Sequence, residues 1–266
     1  MQVRDKVFVV TGAGSGIGRE LSLCLLANGA SVAGVDLNPS ALETTTTLAS
    51  AHVDRFRSFV CDVSQRSEVE ALPERILAGF RGIDGVINNA GVIQPFVRLR
   101  DLDYPAIEHV INVNLFGTLF MIKAFLPHLL CRQEAQIVNL SSMGGFVPVP
   151  GQTIYCASKA AVKLITEGLA AELETTNVKV SVVFPGAVAT NILTNSGAGG
   201  HERSRNTTPQ ALPPAEAAKM IVQGIERSAP RIFVGKDAAF MDKLYRLNPG
   251  YAAGVIARKM RALLPA

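Results

Sequence analysis

Residues 6–10 (KVFVV) pass directly into Thr11-Gly-Ala-Gly-Ser-Gly-Ile-Gly18 and then into RELSLCLLANG. A β-branched run, a glycine cluster and a helix-favouring stretch in that order read as strand, tight turn and helix. Glycines at 12, 16 and 18 allow the turn, let backbone N–H groups approach a pyrophosphate, and let the helix pack closely on the strand. The spacing is GxxxGxG, not GxGxxG. A glycine cluster by itself is a weak sign of a nucleotide site; its place between strand and helix gives it weight.

The chain then alternates strand and helix patterns. Residues 31–36 (SVAGVD) form a second strand ending in Asp36, eighteen residues past Gly18, where a ribose 2′-hydroxyl would need an acceptor. Asp36 would repel a 2′-phosphate, and neither Ser15 nor Leu37 brings a compensating cation, so NAD is favoured over NADP. A strand-end Asp can instead cap the following helix, although Asn38 followed by Pro39 is the better cap. Residues 56–63 read as a third strand with Asp62 at its end, placed to accept from an adenine amino group. Residues 65–80 read as one amphipathic helix despite Pro73, and residues 83–88 as a fourth strand running into Asn88-Asn89-Ala90-Gly91. As a turn, NNAG is unremarkable; beside a cleft, its amides brace strands.

Residues 103–130 carry helical periodicity over about seven turns. Asn114 sits in the apolar middle, where its amide must find partners: it either bends the helix around a water or carbonyl, or satisfies itself. Asn114, Lys123 and Pro127 interrupt the apolar stretch 111–130, which reads as a buried helix and not a membrane span. A fifth strand, AQIVNLSS, delivers Ser142 to a Gly- and Pro-rich loop, and strand ends are where open α/β sheets bind ligands. Thirteen residues on, Tyr155 and Lys159 are four apart in a helix-favouring segment, so their side chains share a face. A phenol ordinarily titrates near pH 10, and a neighbouring ammonium would lower that value enough for proton exchange near neutrality. A Tyr and Lys so spaced are more often a solvated surface pair; Ser142, the glycine loop and NNAG argue for a site.

Residues 178–184 form a sixth strand ending in Pro185-Gly186, with Thr190 beyond it. Residues 191–214 are the most loop-like segment, a candidate substrate-side lid or a dispensable surface loop. A helix over 215–227, a last strand over 231–235 and two short helices in a C-terminal extension, 237–266, complete the chain. The 266 residues therefore fit a single α/β domain.

The formal net charge of +4 is too dispersed for nucleic acid, although Lys243, Arg246, Arg258, Lys259 and Arg261 face only Asp242 from position 241 onward. That basic tail would bind an anionic membrane only weakly and reads as a structural element packing over the cleft or a partner subunit. The four cysteines and four histidines lack metal-ligand spacing, so no metal is expected. Cysteine usage and the absence of a signal-like apolar region near residue 1 point to the cytoplasm.

With these residues laid out, the chain resembles the short-chain dehydrogenase/reductase family over essentially its first 235 positions. TGAGSGIG is similar to that family's cofactor loop, with Gly12, Ser15, Gly16, Ile17 and Gly18 as candidate contacts; Asn88–Gly91 is similar to its NNAG motif, and Ser142, Tyr155 and Lys159 to its catalytic set. The resemblance implies a doubly wound, Rossmann-like parallel sheet of seven strands with helices on both faces. It implies Tyr155 as general acid/base, Ser142 holding the substrate oxygen, Lys159 binding the nicotinamide ribose while lowering the tyrosine pKa, and Asn114 as a proton-relay residue. It assigns Asp36 to the adenosine ribose, Asp62 and Val63 to the adenine, Asn89, Ala90 and Gly91 to the cleft wall, and Pro185, Gly186, Val188 and Thr190 to the nicotinamide side. The extension beyond Gly235 departs from the short terminus of many tetrameric members, which favours a homodimer over a homotetramer.

The expected activity is NAD-dependent interconversion of a secondary alcohol and a ketone. Val92, Ile93, Phe96, Met143, Phe146, Val147, Pro148 and Leu193, expected to flank the site, suggest a hydrophobic steroid, retinoid or lipid-like substrate. The alternatives are an NADPH-dependent 3-oxoacyl-thioester reductase and a non-catalytic NAD-sensing protein.

Overall fold

The first expected strand forms as β1 (Val7–Thr11) in a computed structural model that describes residues 1–190, 192, 196 and 211–261. The glycine loop follows it and feeds α1 (Gly16–Ala27). Then come β2 (Ser31–Asp36), α2 (Pro39–Ala49), β3 (Phe56–Val60), the short α3 (Arg66–Glu70) and α4 (Leu72–Leu77), and β4 (Gly85–Asn88). α5 (Tyr104–Ile111) and α6 (Gly117–Leu130) are joined by a π-helical turn over Asn112–Phe116. β5 (Ala135–Leu140), α7 (Thr153–Glu172), β6 (Val178–Pro185), α8 (Pro214–Glu226) and β7 (Arg231–Val234) finish the sheet, and α9 (Lys236–Leu247) and α10 (Pro249–Met260) make up the described part of the extension.

All seven strands are parallel, in the order β3-β2-β1-β4-β5-β6-β7. The order reverses between β1 and β4, and the crevice outside the strand ends at such a switch point is where this architecture binds ligands. Phe8 and Val10 turn to one face, in a core with Leu21 and Leu25 of α1 and Ile221 of α8. Val9 turns to the other, in a core with Met121 and Phe125 of α6 and Leu169 of α7. Burial on both faces explains why the strands read as nearly continuous apolar runs.

Local chemistry sets the element ends. The Asn38 side chain accepts from Ala41 N–H at 3.1 Å with Pro39 in the first turn of α2, and Asp103 caps α5 in the same way through Ala106 N–H at 3.0 Å. Two boundaries differ from the sequence reading. β3 stops at Val60 because its partner β2 ends at Asp36, so residues 61–63 leave the ladder and carry Asp62 and Val63 into the crevice. The helix expected over 65–80 breaks at Ala71, since Pro73 has no N–H to donate and its ring would crowd the carbonyl four residues back; it is accommodated in the first turn of α4 instead.

The segment Tyr104–Leu130 is long and apolar enough to cross a membrane by length and composition. Here Met121, Ile122, Phe125 and Leu129 are buried in the core on the α6 side of the sheet. Most of residues 191–214, the candidate lid, and Leu193 with it, lie outside the described residues.

Candidate active site

Thr11 closes β1 and ties the glycine loop to the NNAG turn. Its hydroxyl accepts from Asn89 N–H and Ala90 N–H, each at 3.0 Å, and the Asn89 side-chain amide donates to Thr11 O at 2.8 Å. Asn88 donates to Asn139 of β5 at 2.8 Å, and Asn139 to Thr166 of α7 at 2.9 Å. The amides thus brace β1, β4, β5 and α7 across the switch point. Gly12 has φ +68°, and a Cβ there would come 2.7 Å from the Asn89 amide; one at Gly18 would collide with the Gly12 carbonyl. Both positions require glycine.

The loop forms one wall of a cleft of about 740 Å³. Gly12, Ser15, Gly16, Ile17, Asp36, Asp62, Val63, Asn89, Ala90, Gly91, Ser142, Tyr155, Lys159, Pro185, Gly186, Val188 and Thr190 all line it. Gly18 and Asn114 do not: Gly18 packs beneath the loop, and Asn114 is fully buried behind the wall. The amide oxygen of Asn114 accepts from Val92 N–H at 2.8 Å, and its nitrogen donates to Val92 O at 2.9 Å and Ser158 Oγ at 3.0 Å. Both open readings of Asn114 therefore capture something. The helix does depart from α geometry, as a π turn, and the amide is satisfied by a backbone segment and a side chain on α7.

At the far end from Tyr155, Asp36 accepts from Gly14 N–H at 2.8 Å and Asn38 N–H at 2.9 Å. A carboxylate offers about four acceptor sites, so these two bonds orient Asp36 and leave capacity for a diol. Asn38, not Asp36, caps α2. Sequence reasoning passed over Arg19, which lines the same wall. Its guanidinium donates to the Gly14 carbonyl and to Thr45 Oγ1 at 3.1 Å, so it fastens the loop to α2.

At the other end, Ser142 follows β5 and Tyr155 begins α7. The Ser142 hydroxyl, which accepts from Gly144 N–H at 3.0 Å, is close enough to Tyr155 to favour its ionised form. Lys159 Nζ is 6.0 Å from the Tyr155 ring centroid and donates to Leu140 O at 2.9 Å. A Cβ at Gly91 would stand 3.2 Å from both Lys159 Nζ and Asn114 Oδ1, so the last NNAG position keeps that space open.

The electrostatics correct one expectation. Burial pushes the Tyr155 phenol up to about 12, with Ser142 pulling the other way and Cys156 adding to the rise. The same burial lowers Lys159 to about 8. Taking charge out of water thus outweighs the proximity of the ammonium, and the lowered tyrosine pKa expected from Lys159 is not supplied by the protein alone.

Of the residues expected to flank a substrate, Val92 lines the cleft, whereas Met143, Phe146 and Val147 pack with Met241, Tyr245, Ala252 and Ile256 of α9 and α10. Asp237, at the start of α9, accepts from Ala187 N–H at 2.9 Å and so ties the extension to the segment carrying Pro185 and Gly186. Among the described residues no group of His, Cys, Asp and Glu is placed to hold a metal.

The family model described as short chain dehydrogenase matches residues 6–199. The chain belongs to the short-chain dehydrogenase/reductase family. It is an NAD(P)-dependent oxidoreductase of that family. It is 36% identical over 268 residues to "Putative oxidoreductase SadH" of Mycobacterium tuberculosis, covering 98% of this chain and 97% of that one, so the likeness extends through the C-terminal helices. Among solved structures, a short-chain dehydrogenase/reductase from Burkholderia phymatum in complex with NAD superposes with a TM-score of 0.85 at 26% identity, over 94% of this chain and 96% of that one. A short-chain dehydrogenase from Burkholderia cenocepacia in complex with NADP gives 0.80 at 28%, over 96% and 99%. This member of the family has the loop, cleft and acidic strand end that suit a dinucleotide: a side-chain-free cradle beside a helix N-terminus, with acceptors at Asp36 and Asp62.

Proposed function

We propose that the protein is an NAD-dependent oxidoreductase interconverting a hydrophobic secondary alcohol and its ketone. The observation that carries this reading is the joining, in one cleft, of the Ser142–Tyr155–Lys159 cluster with the glycine loop and Asp36. A bound dinucleotide supplies the hydride acceptor at nicotinamide C4 and a positive ring. In oxidation Ser142 orients the substrate hydroxyl, and Tyr155 as phenolate takes its proton. Lys159 holds the nicotinamide ribose and keeps a cation near the phenolate. Because the phenol starts near 12 without a ligand, oxidative kcat/KM should rise with pH through the neutral range.

The preference for NAD rests on Asp36, whose carboxylate would repel a 2′-phosphate. Titration with NADH and NADPH tests it: tighter NADPH binding, with reduction of an acyl thioester, would replace this reading by a 3-oxoacyl-thioester reductase. The hydrophobic substrate is supported by Val92 and Ile192 on the cleft wall, and polyols turned over faster than cyclohexanol or a steroid alcohol would exclude it. A homodimer is supported by the exposed apolar side chains of Phe116 and Leu164, 43% and 68% accessible, with Phe116 stacked on Phe120. Four free cysteines are in keeping with the cytoplasm as its setting. The decisive experiment is Tyr155→Phe: loss of turnover with NAD still bound supports the assignment, and undiminished turnover removes Tyr155 from the chemistry.

A further inference from the structure

The helix that carries Tyr155, Ser158 and Lys159 starts without a capping side chain of its own: Gln152 occupies the cap position, and its side chain accepts nothing from the first turn. An α-helix leaves its first four N–H groups without intrahelical partners, and here Tyr155 lies in that first turn. Gln152 N–H donates to Val149 O just before the helix, and two more are satisfied from far along the chain. Gln94 Oε1 accepts from Ile154 N–H at 2.8 Å and Tyr155 N–H at 3.1 Å. Gln152 Nε2 returns a bond to the Gln94 backbone carbonyl at 2.8 Å, and Cys156 N–H closes the first turn on Gln152 O at 2.8 Å. The arrangement has the reciprocity of a capping box, but its two halves are 58 residues apart, and both side chains are buried, at 1% and 3% accessible.

The chemistry of this cap is unusual for its position. Two N–H groups converge on Gln94 Oε1, which fixes the orientation of the amide, since the reverse would oppose donors to donors. Its Nε2, and Oε1 of Gln152, are buried without a hydrogen-bond partner among the described residues. A carboxylate would cap the positive end of a helix more strongly and leave no amide N–H₂ to bury. It would also set an anion beside the residue whose ionisation the proposed reaction requires.

We propose that Gln94 is a positioning residue for Tyr155: its amide holds the first turn of the catalytic helix in place across the NNAG segment while adding no negative charge near the phenol. Gln94 follows Asn88–Gly91 and Val92, so the same loop that walls the cleft also seats the helix opposite. The inference rests on the proposed acid/base role of Tyr155. The groups near that phenol are Cys156 and Lys159 on its own helix and Ser142 after β5. Of the elements packed on α7, α5 brings Tyr104, Glu108 and the cleft-lining His109, β6 brings Lys179, and β5, the π turn and residues 143–145 bring no ionisable side chain.

The test compares Gln94→Met, which removes the acceptor at similar size, with Gln94→Glu, which keeps it and adds a charge. Turnover of cyclohexanol with NAD⁺ and ultraviolet tyrosinate titration of the NAD-bound protein, corrected with Tyr155→Phe, are read in parallel. Gln94→Met should lower kcat on the order of ten- to a hundredfold, with NAD affinity within about twofold of wild type. Gln94→Glu should move the Tyr155 titration upward by about one pH unit and recover kcat as pH is raised, which a merely structural cap would not do. Wild-type kcat in Gln94→Met, in a protein whose Tyr155→Phe variant is inactive, overturns the positioning role alone. An active Tyr155→Phe variant overturns the acid/base reading instead. Should cyclohexanol not be turned over, the titration decides: an unmoved Tyr155 in Gln94→Glu refutes the proposal.

Discussion

The two ends of the cleft are built differently. The end at Asp36 is made mostly from backbone and short polar side chains, the glycine loop, Thr11, Asp36 and Asn38, with Arg19 fastening the loop to α2. Its hydrogen bonds hold a shape with no bulky group inside. At the Tyr155 end, long side chains enter a dry environment, and their supports come from far along the chain: Leu140 O for Lys159, Val92 and Ser158 for Asn114, and Gln94 for the helix itself. The first end keeps space open with glycines, the second fills its surroundings with buried side chains. Burial has the cost seen at both ionisable groups, with Tyr155 raised to about 12 and Lys159 lowered to about 8.

The largest effect should come from Tyr155→Phe, which removes one oxygen at the reactive end. Turnover is expected to fall on the order of a thousandfold while NAD affinity, read by fluorescence titration, stays within about twofold. A parallel loss of binding would erase the distinction between the two ends. Next is Lys159→Met in the ligand-free protein. Below about pH 8 the lysine is charged both folded and unfolded, and the cost of burying it acts in full. As pH rises from about 8 toward 10.5, the folded amine sheds its proton first, so this group makes stability increase across that window. Urea denaturation should show that rise, on the order of 3 kcal/mol, in the wild type relative to Lys159→Met. A flat difference between the two curves would mean that the amine is solvated.

Thr11→Val is the corresponding test of the Asp36 end. It preserves shape but strands the N–H groups of Asn89 and Ala90, for a stability loss of about 2 kcal/mol and weaker NAD binding, with kcat at saturating NAD nearly unchanged. A fall in kcat with intact binding would show the two ends coupled. The smallest effect is expected from Asn248→Ala, which removes the cap on Tyr251 N–H at the start of α10, about 1 kcal/mol by thermal unfolding. Because α10 packs under Val147, a change in KM for a hydrophobic alcohol would place the extension in the substrate wall.

The same division explains what was legible in advance. The strand–glycine–helix run, Asp36 and NNAG were read correctly as parts of one cleft because their geometry follows from residues adjacent in sequence: a turn that only glycine makes, and a carboxylate at a strand end. The end of β3 could not be placed, since the residue at which a strand stops is set by its partner, here β2. From its own residues Asn114 was ambiguous, and only the family resemblance gave it a relay role, because the π turn is stabilised by Val92 and Ser158, which no local pattern connects to it. Gln94 drew no attention, as a glutamine after an NNAG turn looks like a surface residue until α7 is laid against it.

Sequence alone determined the alternation of strand and helix, the glycine cradle and the polar side chains that line the cleft, because these depend on backbone conformation and residue chemistry within a few positions. Only the tertiary structure decided the sign of the pKa changes and the means by which the helix carrying Tyr155 is seated. Those depend on how much water is excluded and on which distant groups remain to satisfy what is buried, and both are properties of the packed chain.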